Sequence, residues 1–76
     1  MRLRNRVNRV LYDRALIESK VASSVGMDQG HFNRVKNGRV KPTLVTALRI
    51  ATALGVPVGT LFYLEGSEAH ETKSTQ

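Results

Sequence analysis

The fold of this chain is decided by the stretch Met27-Asp28-Gln29-Gly30-His31-Phe32-Asn33-Arg34-Val35-Lys36-Asn37-Gly38. It predicts one short helix, because the Asp28 carboxylate is suited to accept hydrogen bonds from backbone N–H groups of a first turn. Phe32 and Val35 stand three positions apart, so both are expected to face the core. Asn37 and Gly38 tolerate positive φ and predict the end of the helix. The other side chains are polar and remain exposed.

A second short helix is predicted just before it, over residues 18–25. Its inner face is expected to hold three apolar residues: Val21, Ala22 and Val25. Gly26 suits a left-handed stop, so only Met27, or Met27 with Asp28, separates the two helices. Two short helices joined by so tight a glycine-containing turn are the signature of a helix-turn-helix.

Three further helices are predicted around this pair. The first has apolar residues at helical spacing and arginines between them: Leu3, Val7, Val10, Leu11 and Ala15. The fourth is predicted to begin after Pro42 with Thr43 as N-cap and to end at Gly55. Its expected core residues are Leu44, Leu48, Ile50, Ala51 and Leu54. Pro57 suits the start of a short fifth helix. Strands are poorly supported, because aromatics are few and apolar alternation is absent.

Charge divides the chain into two parts. The 76 residues carry a net charge of +6. Residues 1–64 hold eleven Lys or Arg against three carboxylates, a balance of +8. Residues 65–76 hold three Glu against one Lys, a balance of −2, and are too polar to order themselves. We therefore expect one domain over residues 1–64 and a disordered tail over 65–76. The basic part suggests a polyanion partner, and a solvated basic surface without a specific partner is the alternative.

Several functions are disfavoured by composition. The chain has no Cys, and His31 and His70 lie too far apart in sequence for zinc-ligand spacing. No nucleophile, metal or phosphate-loop constellation is present, so we expect no enzyme activity, no metal and no cofactor. No apolar run approaches the ~20 residues that span a bilayer. The charged start lacks the apolar segment of a secretory signal, so the expected location is the cytoplasm, at the nucleoid.

Residues from about 11 to 62 resemble the Cro/repressor-type helix-turn-helix domains of phage repressors and many bacterial regulators. The resemblance is carried by an ordered set of residues: Val21-Ala22, Gly26, Phe32, Asn37-Gly38, Pro42, Ile50-Ala51, Leu54-Gly55 and Leu61-Phe62. It implies an all-α, compact bundle of about five short helices of the lambda-repressor-like type. The second helix then lies across the DNA backbone and the third enters the major groove.

The resemblance also implies which residues of the third helix contact bases: Gln29, Gly30, Asn33 and Arg34. A Gln or Asn amide can donate and accept hydrogen bonds at adenine N7 and N6, and the planar Arg34 guanidinium can donate two hydrogen bonds to guanine O6 and N7. His31 is expected at a base or at the backbone. Alternatives stay open: Arg34 contacts phosphate, Asn33 holds the turn, or Gly30 simply allows close approach. Gly30 stands where relatives often carry a base-contacting side chain.

Backbone contacts are expected from a group of polar and basic residues: Ser19, Lys20, Lys36, Asn37, Arg39 and Lys41. The chain departs from the family in two places. Relatives pair an Arg late in the first helix with a Glu just before Asn-Gly, and here those positions are Leu11 and Lys36. We hypothesise that Leu11 packs apolarly and that Lys36 reaches a phosphate, Asp13 or Glu18. Glu18 also replaces a phosphate-contacting Gln of the family.

The apolar segment over residues 56–64 is the expected dimer interface, by resemblance: Val56, Val58, Leu61, Phe62 and Leu64. The alternative is that these residues cover the monomer core. Together the patterns and the resemblance predict a small repressor that binds pseudo-palindromic double-stranded DNA as a homodimer. The competing interpretation is an antitoxin or accessory module whose 56–64 segment binds another protein.

Overall fold

The order of elements in the computed structural model, which describes residues 2–66, is strand, five helices, strand. The elements are β1 (Leu3–Asn5), α1 (Val7–Asp13), α2 (Glu18–Ser24), α3 (Gln29–Lys36), α4 (Leu44–Leu54), α5 (Val58–Leu61) and β2 (Phe62–Leu64). The predicted five-helix bundle is confirmed, with a small sheet added to it. The predicted disordered tail falls almost entirely on residues 67–76, outside the described residues.

Capping residues begin α3 and α4 at the positions that the sequence predicts. The Asp28 carboxylate accepts from the His31 backbone N–H at 3.2 Å and begins α3. The Thr43 hydroxyl accepts from the Thr46 N–H, also at 3.2 Å, and begins α4. Gly55 ends α4 with a φ of 74°, a conformation that L side chains rarely adopt. Local side-chain chemistry therefore sets these boundaries.

The core draws on residues of all five helices, and α2 packs against both α3 and α4. Phe32 and Val35 are fully buried, as predicted, and so are Ile50 and Leu54 of α4. The predicted inner face of α2 is also buried: Val21, Ala22 and Val25. Because Phe32 and Val35 hold one side of α3, Gln29, Asn33 and Arg34 are directed outward, while His31 and Lys36 are partly buried.

The start of the chain differs from the prediction. Leu3 was expected in the first helix, but Leu3–Asn5 form a strand that pairs antiparallel with Phe62–Leu64. Asn5 explains the change: its Oδ1 accepts from the Val7 N–H at 3.0 Å, and its Nδ2 donates to the Val35 carbonyl at 3.2 Å. The amide thus starts α1 only at Val7 and ties β1 to the end of α3.

The prediction that Leu44 and Leu48 of α4 belong to the core is wrong. Leu44 is 70% exposed and Leu48 is 45% exposed. The buried face of α4 consists of Ala47, Ile50, Ala51 and Leu54. With about 3.6 residues per turn, Leu48 points well away from that face, and Leu44 stands a turn ahead of its buried part. Over residues 2–66, no helix is long and apolar enough to cross a membrane.

Candidate nucleic-acid interface

The turn between α2 and α3 is as tight as the sequence predicts. Gly26 has a φ of 71°, and an added Cβ would meet no atom within 4 Å. Its N–H donates to the Ser23 carbonyl at 3.0 Å, and the Met27 N–H donates to the Ala22 carbonyl at 2.9 Å. This hydrogen-bonded turn closes α2 and sets the direction in which α3 begins.

The outward face of α3 offers two side chains for contacts. Gln29 and Arg34 are exposed, and neither side chain has a hydrogen-bond partner within residues 2–66. His31 is half-buried beside them. Because Phe32 and Val35 anchor the opposite face, Gln29 and Arg34 can reach a ligand without loss of core packing.

Gly30 lies in the first turn of α3, where a side chain would be crowded. A Cβ added there would stand 3.0 Å from Asp28 Oδ2 and 3.6 Å from an Arg34 guanidinium nitrogen. Asp28 Oδ2 is the oxygen that caps the helix. The glycine therefore leaves both the cap and Arg34 undisturbed and keeps the backbone of this turn bare.

Asn33 is exposed, yet its amide is occupied at both ends. Its Nδ2 donates to Glu18 Oε2 at 3.4 Å, and its Oδ1 accepts from Asn37 Nδ2 at 3.1 Å. These contacts match the alternative in which Asn33 holds the two helices together. They also give Asn37 a partner on its own helix.

Lys36 is the residue for which the sequence allowed the most partners: a phosphate, Asp13 or Glu18. Its Nζ lies 3.3 Å from Glu18 Oε1 and 2.8 Å from Asn8 Oδ1. The Lys36 side chain is only 12% exposed and that of Glu18 is 26% exposed. Of the three partners in the hypothesis, the structure shows Glu18, and Leu11 is buried as expected. Lys36 and Glu18, two residues at which this chain departs from the family pattern, thus neutralise each other. The predicted phosphate contact of Lys36 stays a prediction.

Cations and donors flank α3 on two sides. Ser19 and Lys20 are exposed in the first turn of α2, while Arg39 and Lys41 are exposed in the loop after α3. In the part of the chain that the structure describes, no carboxylate pairs with these three cations. The loop keeps close to the helix, because the Arg39 N–H donates to the Arg34 carbonyl at 2.9 Å.

The predicted dimer segment is only partly exposed. Leu61 is fully buried in the core, so it has no surface for a second copy, and its assignment is corrected. Val56, Val58 and Phe62 are half-buried against the core, and Leu64 is 44% exposed.

A larger apolar surface lies on α4, where the sequence placed core residues. Leu44, Val45 and Leu48 are all exposed. Val45 and Leu48 border a groove of about 700 Å³ that also includes Val25 and Arg49. Sequence reasoning missed this surface because periodicity alone assigned Leu44 and Leu48 to the interior. Val45, beside Leu44 on the helix, was the available signal.

Comparison with protein-family models gives no match, and comparison with curated proteins gives none either. Solved structures do share the fold. The restriction-modification controller protein C.AhdI from Aeromonas hydrophila is 25% identical, with a TM-score of 0.68 over 72% of this chain and 83% of that one. A candidate DNA-binding protein from Bacteroides fragilis is 22% identical, with a TM-score of 0.73 over 79% and 97%.

A third similar structure is the hypothetical transcription factor NHTF from Neisseria. It is 21% identical, with a TM-score of 0.68 over 87% of this chain and 75% of that one. The resemblance found in the sequence is confirmed at the level of fold: the chain has the fold of Cro/repressor-type helix-turn-helix domains.

Proposed function

We propose that this protein is a transcriptional regulator that binds double-stranded DNA by placing α3 in the major groove. The observation that carries the proposal is the outward face of α3. Over residues 2–66, Gln29 and Arg34 stand there without hydrogen-bond or ion-pair partners, and the cations that flank the helix on both sides have no carboxylate partner. The three similar structures include a controller protein, a candidate DNA-binding protein and a hypothetical transcription factor, which supports the same conclusion.

Affinity and sequence preference come from different residues. Lys20, Arg39 and Lys41 neutralise phosphates, which supplies most of the salt-dependent affinity. Arg34 donates its two parallel N–H groups to guanine O6 and N7, and Gln29 contacts adenine N6 and N7. His31 lies at the rim of this face, and Gly30 allows the helix backbone to approach the bases closely.

The ion pair between Glu18 and Lys36 makes α2 compatible with DNA. An unpaired carboxylate at the start of α2 would repel a phosphate. Here Lys36 neutralises it at 3.3 Å, and Asn33 donates to its second oxygen. Ser19, Lys20 and the N–H groups of the first turn are then able to contact the backbone. Asn33 and Asn37 act mainly by holding α2 and α3 in place.

We further propose that the protein acts in the cytoplasm as a small repressor, as a homodimer on a pseudo-palindromic site. A dimer places two α3 helices about one helical turn of DNA apart, which matches two-fold symmetric half-sites. Leu64, with the half-buried Val56, Val58 and Phe62, contributes to the dimer surface.

A second function, as an antitoxin or accessory module that binds another protein, is favoured by one observation. The exposed Leu44, Val45 and Leu48 form an apolar surface on α4, the helix that directly precedes the 56–64 segment. Light scattering of the pure protein separates the two functions. A dimer that the Leu64→Lys change dissociates supports self-pairing through the end of the chain. A monomer supports the protein-partner function.

The central experiment is selection of bound sequences from a random duplex pool, followed by binding at several salt concentrations. We expect an enriched motif whose two halves are related by symmetry, with affinity that falls linearly on logarithmic axes as salt increases. Binding without any enriched motif would contradict sequence-specific recognition.

A further inference from the structure

A polar cleft of about 310 Å³ lies between β1 and the end of α3. It is lined by Arg2, Arg4 and Asn5 on the strand side and by Lys36, Asn37 and Gly38 on the helix side. A second cavity, of about 240 Å³, shares Arg2 and Gly38 and extends to Lys41 and Pro42. The cleft therefore continues from the end of α3 into the basic loop. The sequence predicts a helix at these arginines, and the structure has β1 there instead.

The strand holds the two arginines at this position. Arg4 stands opposite Tyr63 in the antiparallel register, and the Arg2 carbonyl accepts from the Glu65 N–H at 2.7 Å. Asn5 links the strand to α3 through its hydrogen bond to the Val35 carbonyl. The backbone of β1 is thus held by a hydrogen bond to α3 at the Asn5 end and by one to Glu65, just after β2, at the Arg2 end.

Arg2 and Arg4 border the cleft and are exposed, so their side chains are accessible to an anion. Within residues 2–66 no carboxylate pairs with Arg2. Arg4 pairs with Glu65 at 3.4 Å, but both side chains are about half-exposed, so this surface ion pair is weak and exchangeable. Above Gly38, which has a φ of 77°, an added Cβ would meet no atom within 4 Å. The mouth of the cleft is therefore open beside the Asn37 amide.

We propose that this cleft binds DNA phosphate groups that flank the bases contacted by α3, with Arg2 and Arg4 as the charged contacts. The inference rests on the proposed function and extends it. Two exposed arginines that border an open polar cleft match the negative charge of a phosphodiester. Because the cleft begins where α3 ends and adjoins the loop of Arg39 and Lys41, the strand prolongs the same positively charged surface along the DNA backbone.

The test compares salt dependence of binding for variants with equal charge. Arg2→Gln and Arg4→Gln should each reduce the slope of log affinity against log salt by about 0.9, the value for one lost phosphate contact. The enriched motif should stay the same. Arg9→Gln is the matched control, because Arg9 also pairs with a carboxylate, Asp13 at 3.3 Å, but lies on the face of α1 away from Val7 and Leu11. Its slope should stay near that of the unchanged protein.

A second variant tests the cleft in the opposite direction. Glu65→Gln releases Arg4 from its carboxylate and should raise DNA affinity by up to about fivefold, the value of a surface ion pair. Asp13→Asn should raise it less, because the proposal includes no contact between Arg9 and DNA. Circular dichroism of all five variants checks that the fold is kept.

The results separate the two proposals. Equal slopes for Arg2→Gln, Arg4→Gln and Arg9→Gln would overturn the cleft proposal while an enriched motif still supports sequence-specific binding. Absence of any enriched motif would overturn sequence-specific recognition. In that case the salt dependence of the three arginine variants, measured on an unselected duplex of equal length, would still decide whether the cleft binds phosphate.

Discussion

Lys36 Nζ and Glu18 Oε1 lie 3.3 Å apart and join α3 to α2 across the helix-turn-helix. Both side chains are largely shielded from water, and Asn8 of α1 supplies a second acceptor to the ammonium at 2.8 Å. In the domains that the sequence resembles, an Arg of the first helix and a Glu of the third commonly hold the motif. Here the charge at position 36 is reversed and its partner has moved to α2.

We expect Lys36→Met to lower the free energy of unfolding by about 1–3 kcal/mol, because it leaves the shielded Glu18 carboxylate without its cation. The double variant Lys36→Met with Glu18→Gln should lose less than the sum of the two single changes. Urea unfolding of the three variants measures this coupling. Asp13→Asn, which removes the exposed partner of Arg9, should change stability by less than about 0.5 kcal/mol. Additive effects at Lys36 and Glu18 would show that the pair contributes nothing.

Arg34→Ala should weaken binding to the selected motif by about 1–3 kcal/mol and relax the preference at one base pair. The reason is that its guanidinium has no intramolecular partner within residues 2–66 and stands on the outward face of α3. Repeated selection with the variant measures the preference directly. Lys41→Ala is the control and should weaken all sequences alike. If Arg34→Ala also weakened all sequences alike, Arg34 would be a phosphate contact.

Asn33→Ala should keep the selected motif at every position while it lowers stability by about 1 kcal/mol. Its amide is engaged by Glu18 at 3.4 Å and by Asn37 at 3.1 Å, so it is less available to a base than Gln29. Selection and thermal unfolding of this variant are to be compared with those of Gln29→Ala, for which we expect a changed motif and unchanged stability. A lost base preference in Asn33→Ala would restore the base contact expected from the sequence.

Gly26→Ala should destabilise the fold by about 1–2 kcal/mol, because the turn needs a φ of 71° and L residues meet a steric cost there. Open space around the position means that the effect comes from the backbone and not from a clash. Gly59→Ala is the matched control: Gly59 lies in α5 with an ordinary φ and equal space around it. There the change should be neutral or stabilising, by up to about 1 kcal/mol. Equal effects at both glycines would show that the positive φ at Gly26 is not the cause of the destabilisation.

The sequence alone was sufficient wherever local chemistry sets the structure. The Asp28 and Thr43 caps, the positive φ at Gly26 and Gly55, and the spacing of Phe32 and Val35 depend on neighbours within a turn or two. Such interactions are visible as short patterns of residue types. They were enough to predict α2, α3 and α4 and the outward position of Gln29 and Arg34.

Only the tertiary structure decided the contacts between residues far apart in sequence. It paired Leu3–Asn5 with Phe62–Leu64, buried Leu61, exposed Leu44, and brought Lys36 to Glu18. Helical periodicity shows that a helix has an apolar stripe, but not which part of the stripe a neighbour covers. Charges likewise show what can pair, while the packing of α1, α2 and α3 selects the partner. The sequence therefore determined which helix is directed outward, and the packing determined what holds it there.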